Sequence, residues 1–200
     1  MSTPNVILEE VCKKLGYSYF TKGNYNLNVI VIRNPKDNTN LFDDVMYVTF
    51  AVDDENDYYS YRCTADPGKS SLLNPHNPKG CARLCDGQVR GSHEIGLHKG
   101  RPALRQCKGF PYQRDNTRLG IHHMDGPVYT DIIFADIHDT VNENDGKVDG
   151  QSEGCVVLRY PRDLLQLLTL VNKQKANGMG DKISLTILDA GKHPELLVLL

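Results

Sequence analysis

The residues best suited to covalent chemistry in this chain are Cys155 and His138. A thiol attacks a carbonyl only as its thiolate, so a catalytic cysteine needs a nearby imidazole to take its proton. His138 closes the strand-like segment DIIFADIH (131–138), 17 residues before Cys155, and a polar loop with Gly and Asn (140–151) separates the two. Because such a loop can fold the chain back on itself, the spacing predicts a cysteine nucleophile with a histidine base.

The tetrapeptide Ser152-Glu153-Gly154-Cys155 leads directly to this thiol. Glycine leaves the backbone open for the close approach of a substrate carbonyl. The N–H groups of Gly154 and Cys155 are therefore expected to stabilise the negative charge that develops on the carbonyl oxygen.

A second histidine is expected near this pair, because Ile121-His122-His123-Met124-Asp125 leads towards the segment that carries His138. We predict that His123 or His122 lines the same groove and binds substrate or transfers a proton. A zinc metallopeptidase that uses His122, His123 and His138 is the alternative, although no HExxH-like helical spacing is present. The primary interpretation requires neither a metal nor another cofactor.

The composition is that of an ordinary globular chain, with 40% hydrophobic and 24% charged residues, and the length suits one domain. A net charge of -2, without a basic block, argues against a nucleic-acid partner. No apolar run is long enough to insert into a membrane, and the first residues lack the pattern of a signal peptide. We expect a protein made in the cytoplasm.

The hydrophobic pattern predicts a mainly β fold of the α+β class with two or three helices at its periphery. One amphipathic helix should begin at Pro4 and end near Gly16, and another should begin at Pro161 and end near Gly178. Runs of β-branched and aromatic residues predict the strands between them. These runs are 27–33, 45–52, 58–64, 94–98, 102–107, 131–138, 154–160 and 182–188.

These residues resemble the L,D-transpeptidase family of the YkuD type, whose signature is a histidine after a strand, a loop of a dozen or so residues, and Ser-x-Gly-Cys. Here the pattern is Ile137-His138, the 140–151 loop and Ser152-Glu153-Gly154-Cys155. The chain is also similar to uncharacterised phage and bacterial proteins with a variant of this pair. The resemblance covers roughly residues 25–190, which would form the catalytic body of a single domain over 1–200, with 1–24 as an N-terminal helix and lead-in.

The resemblance implies a β-sandwich-like catalytic domain that acts on L-to-D peptide bonds of peptidoglycan stem peptides through an acyl-thioester. Cys155 would be the nucleophile and His138 the base, and Ser152 and Gly154 would form the turn that shapes the oxyanion hole. The family often has Gly directly after its histidine and Arg or Asn two residues after its cysteine.

This chain has Asp139 and Val157 at those two positions. Arg159 and Arg90 are therefore the candidates to contact a substrate carboxylate. Hydrolysis and transpeptidation both stay open, and a non-catalytic phage structural or wall-binding module is a further alternative. The resemblance places the protein's action at the cell wall, with a phage or prophage origin and a role in lysis or wall remodelling.

Overall fold

The computed structural model describes residues 3–36, 39–142 and 145–200 and is mainly β with a few helices. Glu143 and Asn144 of the predicted 140–151 loop lie outside the described residues. The strands are β1 (Asn28–Arg33), β2 (Asp44–Val52), β3 (Glu55–Thr64), β4 (Cys81–Leu84), β5 (Gly87–His98), β6 (Arg101–Gln106), β7 (Tyr112–Asp115), β8 (Ile137–Asp139), β9 (Val156–Leu158) and β10 (Lys182–Asp189). The helices are α1 (Pro4–Lys14), α2 (Lys69–Leu73) and α3 (Pro161–Ala176), with 3-10 turns at Asp149–Gln151 and Pro194–Leu199. The predicted α+β class is thus confirmed.

Eight strands close into a barrel in the order β1-β10-β5-β6-β8-β9-β3-β2, and β4 pairs with β7 in a separate two-stranded sheet. The β-sandwich that the family resemblance implies is therefore not what these strands form. Two parallel pairings, β1 with β10 and β8 with β9, join strands that are not hairpin neighbours and so complete the ring. Local hydrophobic patterns cannot reveal such pairings, because they depend on contacts between distant segments.

The strand β1 illustrates why the chain folds this way, since both of its faces are buried. Val29 and Val31 point into the core that fills the barrel, whereas Ile30 and Ile32 pack in a second cluster with Leu8 of α1. Side chains alternate between the two faces of a strand, so a continuous apolar run requires cover on both sides. Helix α1 supplies that cover from outside the barrel.

The two long helices begin where the sequence predicts, with proline in the first turn of each. In α3, Leu164, Leu167 and Val171 pack against the same cluster as the barrel interior. No helix among the described residues is long and apolar enough to cross a membrane.

The predicted strand over 131–138 is wrong for most of its length, because only β8 at its end is regular. Phe134 adopts a left-handed backbone with φ of 58°, which a strand does not allow. The backbone N–H groups of Ile133 and Ala135 both donate to the side-chain oxygen of Gln106, at 3.0 and 2.9 Å. A glutamine side chain thus takes the place of a neighbouring strand and holds 133–136 in an irregular path.

Candidate active site

The parallel pairing of β8 with β9 brings the two predicted catalytic residues together. Ile137 pairs with Val156, and the N–H of Val156 donates to the Asp136 carbonyl at 3.0 Å. Cys155 therefore enters β9 next to the start of β8. A ring nitrogen of His138 and the Sγ of Cys155 lie within 4.8 Å of each other, and no hydrogen bond joins the two side chains.

Hydrogen bonding sets which nitrogen of His138 can act as a base. Nδ1 lies 2.8 Å from the backbone carbonyl of Asp139, and because a carbonyl only accepts, Nδ1 must carry the proton when the ring is neutral. Nε2 is buried and has no hydrogen-bond partner among the described residues. A buried polar atom without a partner is unfavourable, so this nitrogen is available to bond with a group that enters the site.

The thiol of Cys155 is buried, with 8% of the residue exposed. It donates to the Phe134 carbonyl at 3.5 Å and accepts a hydrogen bond from the backbone N–H of Asp136. Burial raises the pKa of this thiol to about 12, and the carboxylate of Asp136 also disfavours the thiolate, while the Asp136 backbone and Lys99 oppose the shift. The resting thiol is therefore protonated at neutral pH.

The imidazole of His138 is shifted in the opposite sense. Burial lowers its pKa to about 4, and the nearby His98 lowers it further against the opposing effect of the Asp139 carbonyl. Both partners are consequently neutral before substrate arrives. These shifts disfavour a preformed thiolate–imidazolium pair, so proton transfer to His138 would have to accompany attack on a substrate.

A second histidine does occupy the site, but it is His98, at the end of β5, and not His122 or His123. Its ring stacks on that of His138 with centroids 4.4 Å apart and planes 9° apart. Its Nδ1 lies 2.9 Å from the Asp136 carboxylate. The sequence offered one signal for this residue, the histidine at the end of the strand-like EIGLH (94–98).

The irregular segment beside Cys155 is fixed by two buried polar side chains of β5 and β6. The side-chain oxygen of Gln106 accepts the N–H groups of Ile133 and Ala135. The backbone N–H of Gln106 donates to Asp136 Oδ1 at 2.8 Å. His93 Nε2 lies 2.9 Å from the Ala135 carbonyl. The Phe134 carbonyl and the Asp136 N–H, which both contact the thiol, are therefore rigidly placed.

Ser152 and Gly154 build the turn in front of Cys155. Ser152 Oγ donates to the Cys155 carbonyl at 2.9 Å and accepts the N–H of Gly154 at 3.2 Å. The Gly154 N–H is thus already bonded, contrary to its expected part in an oxyanion hole. Gly154 has φ of 138°, and a Cβ there would lie 3.0 Å from the backbone oxygen of Ala82 in β4, so both conformation and close approach require glycine.

Two adjoining cavities open onto this pair. One, of about 360 Å³, is lined by Cys155, Gly154, Arg114 and others, and the second, of about 250 Å³, by His138, Asp139 and others. Both are lined by His98, Lys99, Gly150 and Gln151. A substrate chain that passes these shared residues would reach both the nucleophile and the base.

The remaining predicted site residues do not line either cavity. Arg159 lies over the Tyr160 ring at 5.3 Å, and Arg90 lies over Phe20 at 5.5 Å and lines a different cavity. His123 is exposed, and its N–H donates to Asp115.

The metal cluster predicted from His122, His123 and His138 is not assembled either. His122 Nε2 lies 3.9 Å from the carboxylate of Asp66, which belongs to a buried ion network. The metal-ligand group that forms within the described residues is His98, His138 and Cys155.

Comparison with known proteins identifies no relative, since no family model, curated protein or solved structure matches this chain.

Proposed function

We propose that this protein is a cysteine peptidase or acyl transferase that acts on L–D peptide bonds of peptidoglycan stem peptides. Two observations carry the reaction type: a ring nitrogen of His138 lies within 4.8 Å of Cys155 Sγ, and the Nε2 of the same ring is buried without a hydrogen-bond partner among the described residues. The assignment of the substrate depends on the resemblance of the His138 and Ser152-Glu153-Gly154-Cys155 pattern to L,D-transpeptidases. The closed barrel would then be this protein's form of that catalytic domain.

The reaction begins as substrate enters the cavities beside Cys155. Nε2 of His138 accepts the thiol proton while Sγ forms a bond to the carbonyl carbon, and the carbonyl electron pair moves to oxygen. The Cys155 N–H makes no hydrogen bond to another described residue and is the backbone donor available to that oxygen. When the carbonyl re-forms, the C–N bond breaks, and the amine leaves with the proton from His138.

The acyl-thioester is released by a second nucleophile that approaches from the same groove. Water would give hydrolysis, and the amine of another stem peptide would give transpeptidation, with His138 again accepting the proton. Arg114 and Lys99 line the cavity that holds Cys155, and they replace Arg159 and Arg90 as the candidates to contact a substrate carboxylate. The proposed site of action is the bacterial cell wall, and the phage-like resemblance favours lysis or wall remodelling.

The proposal is tested by incubating the protein with purified peptidoglycan and identifying the released fragments by mass spectrometry. We expect fragments cut or joined at an L–D bond, and none from a Cys155→Ala variant of unchanged stability. Cys107→Ala is the matched control, because Cys107 is a partly exposed thiol outside both cavities. A Cys155→Ala variant with full activity would rule out thiol catalysis, and wild-type protein that releases nothing would favour the non-catalytic wall-binding alternative.

A further inference from the structure

We propose that His98, His138 and Cys155 form a zinc site, and that a bound zinc ion holds the enzyme inactive by occupying its nucleophile and base. The inhibitory effect rests on the proposed function, whereas the binding of zinc does not. Each residue contributes one donor atom, and the three donor atoms lie within 4.8 Å of one another.

The hydrogen bonds around the two histidines prepare them as ligands. Nδ1 of His98 is held by the Asp136 carboxylate at 2.9 Å, and Nδ1 of His138 is held by the Asp139 carbonyl at 2.8 Å. Metal-binding histidines are usually oriented in this way, with one nitrogen bonded to an oxygen and the other directed at the metal. Both Nε2 atoms are therefore the ones left to coordinate, and that of His138 is buried without a partner.

The donor types select the metal. Two imidazoles and a thiolate suit zinc, whereas magnesium and calcium prefer oxygen ligands. With Zn–S near 2.3 Å and Zn–N near 2.0 to 2.1 Å, tetrahedral ligands stand roughly 3.3 to 3.6 Å apart. The donors must therefore close by as much as ~1.5 Å. The nearly parallel rings must also tilt so that both Nε2 lone pairs point at one ion. A fourth position, directed at the cavities, would hold water.

Binding removes both chemical functions of the pair at once. The thiol of Cys155 loses its proton to solvent as the Zn–S bond forms, and the Nε2 lone pair of His138 becomes a ligand instead of a base. The sulfur electron pair is then shared with the metal, and no group is left to accept a proton from an incoming nucleophile. Removal of zinc restores the neutral thiol and imidazole.

Metal binding can be measured without substrate. We expect the wild-type protein to compete with a chromogenic chelator for one equivalent of zinc, and Co²⁺ substitution to give a thiolate-to-cobalt charge-transfer band. His98→Ala should weaken zinc binding by roughly 100-fold or more. Cys155→Ser should lose the charge-transfer band, and this variant tests the site if His98→Ala does not fold. His76→Ala is the control, since His76 lines the same cavity but is bonded to Glu153. Equal affinity in His98→Ala, His76→Ala and wild type would overturn the zinc site.

The inhibitory effect requires a second measurement. Zinc should protect Cys155 from alkylation and suppress peptide release, and a chelator should restore both. A chelated protein that is active but shows no specific zinc binding would overturn the inference and leave the proposed function intact. A protein that binds zinc through these residues but releases no peptide in either state would overturn the proposed function. Activity that requires zinc would overturn the inhibitory effect and make the metal catalytic.

Discussion

Two clusters of buried polar groups lie in this barrel, and they differ in whether burial leaves their ionisable groups charged or neutral. In the first, Arg33 contacts Asp66 at 3.1 Å and donates to the carbonyls of Ala65 and Leu84, while Arg83 contacts Asp66 at 2.6 Å. The second cluster lies around Cys155 and His138. Each cluster holds a buried nitrogen without a hydrogen-bond partner in the described part of the chain, Arg33 Nε in the first and His138 Nε2 in the second.

Under the proposed function, this difference separates a cluster that stabilises the fold from one that acts on a substrate. Burial alone would favour the protonated form of Asp66, but Arg33 and Arg83 outweigh it and keep the pKa of this carboxyl below its ordinary value. At Cys155 and His138, burial dominates and leaves both groups neutral. In the ion network, the charged groups contact one another. In the second cluster, the thiol of Cys155 and the imidazole of His138 stay uncharged.

The largest effect should come from His138→Gln, which removes the base and keeps much of the side-chain volume. We expect the rate of peptide release to fall by roughly 10² to 10⁴, with little change in the free energy of unfolding, because Nε2 makes no contact that stabilises the fold. Peptide-release kinetics and urea denaturation measure the two quantities. His123→Gln is the control, because His123 is exposed and lines neither cavity, and equal losses of activity in both variants would remove the distinction between the clusters.

Asp66→Asn should produce the reverse outcome. It leaves Arg33 and Arg83 without their shared carboxylate, and loss of one partner from a buried ion pair costs about 3 to 5 kcal/mol. Urea denaturation should show this loss, while peptide release by the fraction that stays folded should be near that of wild type. Glu195→Gln is the control, because it removes an acid from an exposed pair with Lys14. A stable Asp66→Asn variant would contradict the structural role of the network.

The turn before the thiol should be sensitive to a single methyl group. Gly154→Ala places a Cβ 3.0 Å from Ala82 in a backbone conformation that alanine rarely adopts. The combined strain and overpacking should cost roughly 3 kcal/mol and displace Cys155, so stability and peptide release should fall together. Gly150→Ala is the stability control, because its Cβ would meet nothing within 4 Å. Similar unfolding free energies for the two variants would contradict this requirement for glycine.

The smallest predicted effect is a dependence of stability on pH. The pKa of His138 is lowered by burial to about 4 from an ordinary 6.5, so the unfolded chain gains a proton first as pH falls. The stability contributed by the neutral ring is present above pH 6.5 and is lost between pH 6.5 and 4, by roughly 3 kcal/mol.

The contribution of Asp44 to stability changes with pH in the opposite direction, so the pH experiment must compare two proteins that both contain Asp44. Burial raises its pKa to about 7, so its contribution is present below its ordinary pKa and falls as pH rises towards 7. Denaturation of wild type and His138→Gln at pH 4.5 and 7.5 isolates the histidine, because the Asp44 effect cancels in the difference. A difference between the two proteins that does not change with pH would show that His138 is not held neutral by the fold.

The sequence was informative where chemistry depends on neighbouring residues and uninformative where it depends on distant ones. His138 and Cys155 flank one loop, so their spacing already suggested that they meet. His98 lies next to them because β5 pairs with β6 and β6 pairs with β8. The hydrophobic periodicity of the sequence does not predict which histidine these pairings place in the site. The irregular path of 133–136 depends on one side chain, Gln106, which could not be distinguished from other polar residues.

The proposed function requires that Cys155 form an acyl-thioester and that His138 act as its base. Its most direct test is intact-protein mass spectrometry after rapid acid quench of the protein with a stem peptide that contains an L–D bond. We predict an added mass equal to the acyl portion, mapped to Cys155, absent from Cys155→Ala and strongly reduced in His138→Gln. Peptide cleavage that proceeds in Cys155→Ala, or an adduct on another cysteine, would contradict the account.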